Sequence, residues 1–215
     1  MYKSFQISCD GGAATGKSTG AKMISKKYNL KFLSSGLLYR YASYLILKYK
    51  PKNEINFIKK KFKVLTIVKL NKIKLHSPII SSHSAVIAKK NRIREIMKKF
   101  QRDFAKKNKK CCIEGRDIST KILPRSDVKF FFRCNLNIAA LRRYNELKKN
   151  HPNTKLKDVK KALRIRNILD TKRKNSPLLR HPDSIEIDTG KLSKKAMLAK
   201  MIKYVEKVIK LKYGN

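Results

Sequence analysis

Eight consecutive residues carry the clearest chemistry in this chain: Gly11-Gly12-Ala13-Ala14-Thr15-Gly16-Lys17-Ser18, spaced as G-x-x-x-x-G-K-[ST]. Glycines in such a loop let backbone N–H groups converge on phosphate oxygens, and a following helix N-terminus adds partial positive charge. Lys17 would reach the β and γ phosphates, the Ser18 hydroxyl would ligate Mg2+, and Thr19 would complete the nucleotide-binding stretch that begins at Gly11. The motif has this meaning only between a strand and a helix. Phe5, Ile7 and Cys9 alternate before it as a strand does, and Ala21, Ile24 and Tyr28 follow at helical spacing. The stretch is therefore expected to bind a nucleoside triphosphate, with Mg2+.

The remaining titratable residues narrow the chemistry. The chain has 55 Lys+Arg against 14 Asp+Glu, a formal net charge of +41, and its four His form no constellation with Ser or Asp. Such a charge commonly marks a nucleic-acid or anionic-membrane partner. Here 42 of the basic residues are Lys, scattered along the chain. Lys, Asn and Ile share AT-rich codons, so base composition explains the excess without a dedicated polyanion site. Non-specific polyanion binding is expected, and no specific nucleic acid. The acids are few and informative, since Asp10, Glu114, Asp117 and Asp170 fall in the segments that carry the motifs.

Elements must position these residues. At 215 residues the chain is long enough for one α/β domain with small inserts. Helices are expected from Gly36 to Lys48, Glu54 to Lys61, Ser84 to Lys107, Ile138 to Lys149, Lys157 to Lys172 and Ser193 to Leu211, the last capped by Ser193. Strands are expected at 110–114, 128–133 and 184–188. Between 63 and 80, Val64, Thr66 and Val68, then Ile73 and Leu75, alternate about a turn at Asn71-Lys72, which predicts a small antiparallel insert. Asn71-Lys72-Ile73-Lys74 lacks the Asp of the guanine-reading N-K-x-D motif and is set aside. Strands alternating with helices predict a mostly parallel sheet with ligands at its carboxyl ends. Cys9, Cys111, Cys112 and Cys134 lie in or beside apolar runs without metal-ligand spacing, so they are expected as reduced thiols of a cytoplasmic protein. The start of the chain leads directly into the first strand, no apolar run approaches ~18 residues, and neither a signal peptide nor a membrane span is expected.

Taken in order, Asp10-Gly11 before the phosphate loop, Ser35-Gly36-Leu37-Leu38-Tyr39-Arg40, Glu114-Gly115-Arg116-Asp117-Ile118-Ser119-Thr120, and Arg166-Asn167-Ile168-Leu169-Asp170-Thr171-Lys172-Arg173 with Ser176-Pro177-Leu178 resemble the bacterial cytidylate kinases of the nucleoside monophosphate kinase family. The resemblance covers nearly the whole chain. It implies a P-loop kinase with a central five-stranded parallel sheet: a core of 1–61 and 81–215, an antiparallel monophosphate-binding insert at 62–80, and a helical lid at 148–176 hinged near His151-Pro152-Asn153. The implied reaction is ATP-dependent phosphorylation of CMP and dCMP by a monomer. Another P-loop small-molecule kinase and a basic nucleic-acid-binding P-loop protein are the alternatives.

The resemblance also implies roles. Lys17, Arg116, Arg166 and Arg173 would be catalytic, with Arg40, Arg116 and Arg173 on the acceptor phosphate and Ser35 among the substrate contacts. Arg166 and Asp170 would lie near the acceptor ribose and phosphates, and Thr189 and Gly190 would border the adenine. A phosphate acceptor is already ionised near neutral pH, so no general base is required. Cytosine presents an amine donor beside two acceptors; Asp117 would accept from the amine and Arg94 would donate to the acceptors. Where the family has a Ser before this Arg, ungapped alignment puts Ala85 with Ser84 one residue earlier. Either Ser84 substitutes through a shift or one cytosine contact is lost. Glu114 would hold a water on Mg2+ or serve the strand end structurally, and Asp10 would brace the loop or meet a lid arginine.

Overall fold

In the computed structural model, which describes residues 3–149 and 151–214, the strand that leads into the phosphate loop, β1 (Phe5–Gly11), is the middle one of five. Next come α1 (Lys17–Lys27), β2 (Lys31–Ser34), α2 (Ser35–Tyr49), α3 (Glu54–Lys63), α4 (Ile67–Lys72), α5 (Pro78–Ile87) and α6 (Asn91–Lys107). The second half runs β3 (Lys110–Gly115), a single wide helical turn (Ile118–Ile122), β4 (Val128–Arg133), α7 (Leu136–Lys148), α8 (Leu156–Lys172), β5 (Ile185–Asp188) and α9 (Lys194–Tyr213). The sheet order is β2-β3-β1-β4-β5. β1 pairs in parallel with β3 and β4, and β4 with β5. The expected five-stranded parallel sheet flanked by helices is present.

The chain divides into two compact units, residues 33–108 and the segments on either side, up to 32 and from 109. In the sheet unit, alternation along β1 sends Phe5, Ile7 and Cys9 into a core with Phe130, Phe132 and Ile187, closed by Ala21 and Ile24 of α1 and Met197, Met201 and Val205 of α9. Fully burying each of the larger side chains contributes ~1.5–3 kcal/mol, so this layer fixes the strand that carries the loop. Ser8 and Asp10 point to the other face, where both are fully buried. As the sequence predicts, Ser193 caps α9, its Oγ accepting the Ala196 N–H at 3.1 Å. Cys9, Cys111, Cys112 and Cys134 are free thiols, and burial pushes Cys111 up to about 12. Among the described residues no helix is long and apolar enough to cross a membrane.

The unit 33–108 corrects two expectations. Residues 62–80 contain no strand; the chain passes from the end of α3 through α4 into α5. Two caps decide this. Thr66 Oγ1 accepts the Lys69 N–H at 3.2 Å, and Ser77 Oγ accepts the Ile80 N–H at 3.2 Å with Pro78 opening the helix. Such caps are each worth ~1 kcal/mol. The alternating valines that imitated a ribbon are exposed (Val64 69%, Val68 67%), while Phe62, Leu65, Leu70 and Leu75 are the buried side chains. The helix expected from Ser84 to Lys107 is also two helices. Lys90 is extended, and the Arg94 guanidinium takes the Ala88 carbonyl at 3.2 Å that a continuous helix would have used. The helix expected from Lys157 to Lys172 is α8, starting at Leu156; of the segment 148–176, Asn150 lies outside the described residues.

Candidate functional site

Gly11 ends β1 at φ 154, where a Cβ would fall 2.3 Å from the Phe132 carbonyl oxygen, so only glycine leaves the strand here. The loop turns through Ala14 (φ 56) and Gly16 (φ 78), and α1 begins at Lys17. Ala13 and Ala14 pack on Ala139, Ala140, Val159 and Leu163 of α7 and α8, and Ser18 and Thr19 are exposed in the first turn of α1. Lys17 Nζ donates to the Gly12 carbonyl at 3.3 Å and lies 3.6 Å from Glu114 Oε2, at the end of β3. Burial, and then the Arg116 charge, lower the Lys17 ammonium to about 8 despite Glu114.

Asp170 of α8 gathers three arginines. Arg116 Nε donates to Asp170 Oδ2 at 2.6 Å, and Arg116 Nη1 donates to the Gly11 carbonyl. Arg173 Nη1 is 3.4 Å from Asp170 Oδ1, and Arg166 Nε is 4.0 Å from Oδ2. Arg173 Nη2 lies 4.0 Å from Asp117 Oδ1, and its Nε donates to the Ser176 carbonyl at 2.6 Å. Burial alone would raise the Asp170 carboxyl, but Arg116, Arg166 and Arg173 hold it below the usual carboxylate range. The sheet unit thus brings together Lys17, Glu114, Arg116, Asp117, Arg166, Asp170 and Arg173 beside the phosphate loop. Four cations offset by three buried carboxylates can accept several phosphate groups at once.

Asp10 braces the loop after β3. Its Oδ1 accepts the Ile118 N–H at 2.8 Å, and its Oδ2 accepts the Ser119 N–H at 2.7 Å and the Ser119 hydroxyl at 2.6 Å. Burial pushes its carboxyl up to about 6 against these hydrogen bonds. Because the braced turn follows Arg116 and Asp117 directly, Asp10 sets where those two side chains start.

The other substrate candidates belong to the unit 33–108. Ser35 is buried at the start of α2, and a Cβ on Gly36 would be 3.9 Å from Arg40 Nη1. Arg94 is 2% exposed, with its guanidinium carbon 5.8 Å from the centre of the Tyr39 ring. Ser84 is buried and donates to the Ser81 carbonyl at 2.7 Å.

A family model described as "Cytidylate kinase" matches residues 7–207, spanning every one of these side chains. The chain belongs to the cytidylate kinase family. Among its relatives in that family, the cytidylate kinase of Bartonella tribocorum is 34% identical over 214 residues, covering 97% of this chain and 98% of that one. That of Clostridium tetani is 33% identical over 214 residues, covering 94% of each. A shikimate kinase from Bacteroides thetaiotaomicron has the same fold, with a TM-score of 0.53 at 10% identity over 94% of this chain and 98% of that one.

Two side chains at the family's phosphate loop escaped the sequence reading. Asn167 Oδ1 accepts the Ala13 N–H at 3.3 Å, a loop donor, and Arg142 Nη1 bonds Thr189 Oγ1 at 3.0 Å, which in turn donates to the Thr15 carbonyl at 2.9 Å. Arg142 had one usable signal, standing three residues after buried Ala139 on the inward side of α7. Asn167 had none.

The Lys17 shift predicts proton uptake. With its ammonium lowered to about 8, Lys17 is partly deprotonated at pH 8.5 in the free protein, and an arriving polyanion raises its pKa. Calorimetry with inorganic triphosphate in two buffers of different ionisation enthalpy should show uptake of roughly half a proton or more at pH 8.5, and little at pH 6.5. Lys17→Met should remove the uptake. Heats independent of buffer at pH 8.5 would contradict the assignment of Lys17 to the anion site.

Proposed function

We propose that this chain transfers the γ-phosphoryl group of ATP directly to the 5′-phosphate of CMP, and of dCMP, giving ADP and the cytidine diphosphate. An acceptor phosphate oxygen attacks the γ phosphorus in line, the bond to the β-phosphate bridging oxygen breaks, and no proton need be removed first. Such a reaction is accelerated by positioning and by cations at the transferring group. The observation that carries this reading is the cluster of Arg116, Arg166 and Arg173 on Asp170, beside Lys17. Lys17 serves the β and γ phosphates; Arg40, Arg116 and Arg173 take the acceptor phosphate; Arg166 and Asp170 serve the acceptor ribose and phosphates.

Mg2+ fits the oxygen donors present. Among the described residues no three His, Cys, Asp or Glu side chains cluster as a metal site. The ion would therefore take most of its ligands from phosphates and water, with the exposed Ser18 hydroxyl at the helix start and Glu114 through a water. It would supply neutralisation of phosphate charge.

Asp117 and Arg94 are the residues assigned to base recognition. Segment 148–176 is assigned as a lid, since Asn167 and Asp170 on α8 and Arg173 just past it reach the phosphate loop or the residues just after β3. Amide exchange over 156–172 should slow on adding adenosine joined to cytidine by five phosphates; unchanged protection there would remove the lid.

A coupled assay of ADP release with CMP, dCMP, UMP, AMP and shikimate tests the reaction. CMP and dCMP should be the best acceptors, and CMP-independent ADP formation would sink the proposal. On the same assay Asp117→Asn replaces a pure acceptor with an amide that can donate to uracil O4. Losing a charged hydrogen bond costs ~1.5–3 kcal/mol, roughly ten- to a hundredfold in kcat/KM for CMP, with UMP losing less or gaining. An unchanged CMP/UMP ratio would mean that Asp117 does not read the base.

A further inference from the structure

Arg142 of α7 donates from Nη1 to Thr189 Oγ1 at 3.0 Å and from Nη2 to the Thr189 carbonyl at 2.8 Å; Nη1 also lies 3.6 Å from Cys134 Sγ. Thr189 is buried just beyond β5, where its N–H bonds the Arg133 carbonyl at 3.0 Å. Its Oγ1 is 2.9 Å from the Thr15 carbonyl and 3.4 Å from that of Arg133. Chemistry sets the direction of this chain. A guanidinium can only donate, so the hydroxyl accepts from it and directs its one proton to a carbonyl, that of Thr15 being the nearer.

The consequence falls on the phosphate loop. The peptide joining Thr15 to Gly16 is planar and trans, so its carbonyl and N–H point to opposite sides. Gly16, at φ 78, has the backbone freedom to let that plane rotate. Holding the Thr15 carbonyl toward Thr189 turns the Gly16 N–H away from Thr189. Thr189 also packs here, its Cγ2 being 3.4 Å from where a Gly16 Cβ would lie, and Thr15 Oγ1 ties the loop to itself through the Gly12 carbonyl at 3.0 Å.

We infer that Arg142, acting through the Thr189 hydroxyl, is a positioning residue that orients the Thr15–Gly16 peptide for the donor phosphates before ATP arrives. This rests on reading residues 11–18 as the ATP site. The chain of contacts touches only the ATP side, so its loss should spare the acceptor.

The test uses Thr189→Val, Arg142→Lys, the double variant and Thr189→Ser, comparing equilibrium ATP affinity with KM for ATP and for CMP. Thr189→Val and Arg142→Lys should each weaken ATP roughly three- to tenfold and leave KM for CMP within about twofold. The double variant should be no worse than the weaker single, because both changes break one chain, and Thr189→Ser should retain parental affinity. Unchanged ATP affinity in Thr189→Val, an equal rise of KM for both substrates, or additive losses would overturn the inference. Should Thr189→Val fail to fold, Arg142→Lys with the same readouts decides. A parent that binds ATP but does not phosphorylate CMP would fail the functional proposal, while the ATP-affinity arm would still decide this one.

Discussion

Everything at this site depends on one electrostatic constraint: cations must be held together where water is scarce before the anions they serve arrive. Two unit charges 4 Å apart near a protein surface interact by ~4 kcal/mol, so Lys17, Arg116, Arg166 and Arg173 would disperse if left to one another. Asp170 prevents this by taking Arg116 at 2.6 Å and Arg173 at 3.4 Å. Glu114, 3.6 Å from Lys17, and Asp117, 4.0 Å from Arg173, do the same at either side. The residual strain is visible in Lys17, whose ammonium is lowered to about 8 by burial and by Arg116. On the proposed function, phosphate oxygens would relieve that strain.

The acids make the same point from composition. Of 14 Asp and Glu in the sequence, only Asp10, Glu114, Asp117 and Asp170 are buried. Ionised carboxylates are buried only where partners compensate them. Glu114 and Asp170 have cations, Asp117 faces Arg173, and Asp10 has the amides and hydroxyl of Ile118 and Ser119. In so basic a chain, where an acid stands carries more information than where a lysine stands.

Much of this was legible in the sequence. The strand, glycine loop and helix around Lys17 announce themselves because both flanking periods are regular, and the parallel sheet follows from alternating strands and helices. The 62–80 segment was misread because its valines alternate while lying in solvent, and the side chains that decide its structure are the short caps Thr66 and Ser77. A cap acts over three residues and leaves no period. Arg142 and Asn167 were opaque for a related reason: each reaches backbone or hydroxyl groups that are 47 and 154 residues away in sequence, respectively. Arg116, Asp117, Arg166, Asp170 and Arg173 could be named in advance only through the family motifs, since periodicity treats them as ordinary surface charges.

The claim that an internal carboxylate stands in for the incoming phosphates has a direct measurement in Asp170→Asn. Thermal unfolding of the parent and this variant would be compared with and without a saturating adenosine–cytidine pentaphosphate. Removing one partner from a buried ionic cluster costs ~3–5 kcal/mol, so the free variant should melt roughly 5 °C or more below the parent. The pentaphosphate should raise the variant by more than it raises the parent and narrow that gap. A gap of the same size with and without the ligand would contradict the claim.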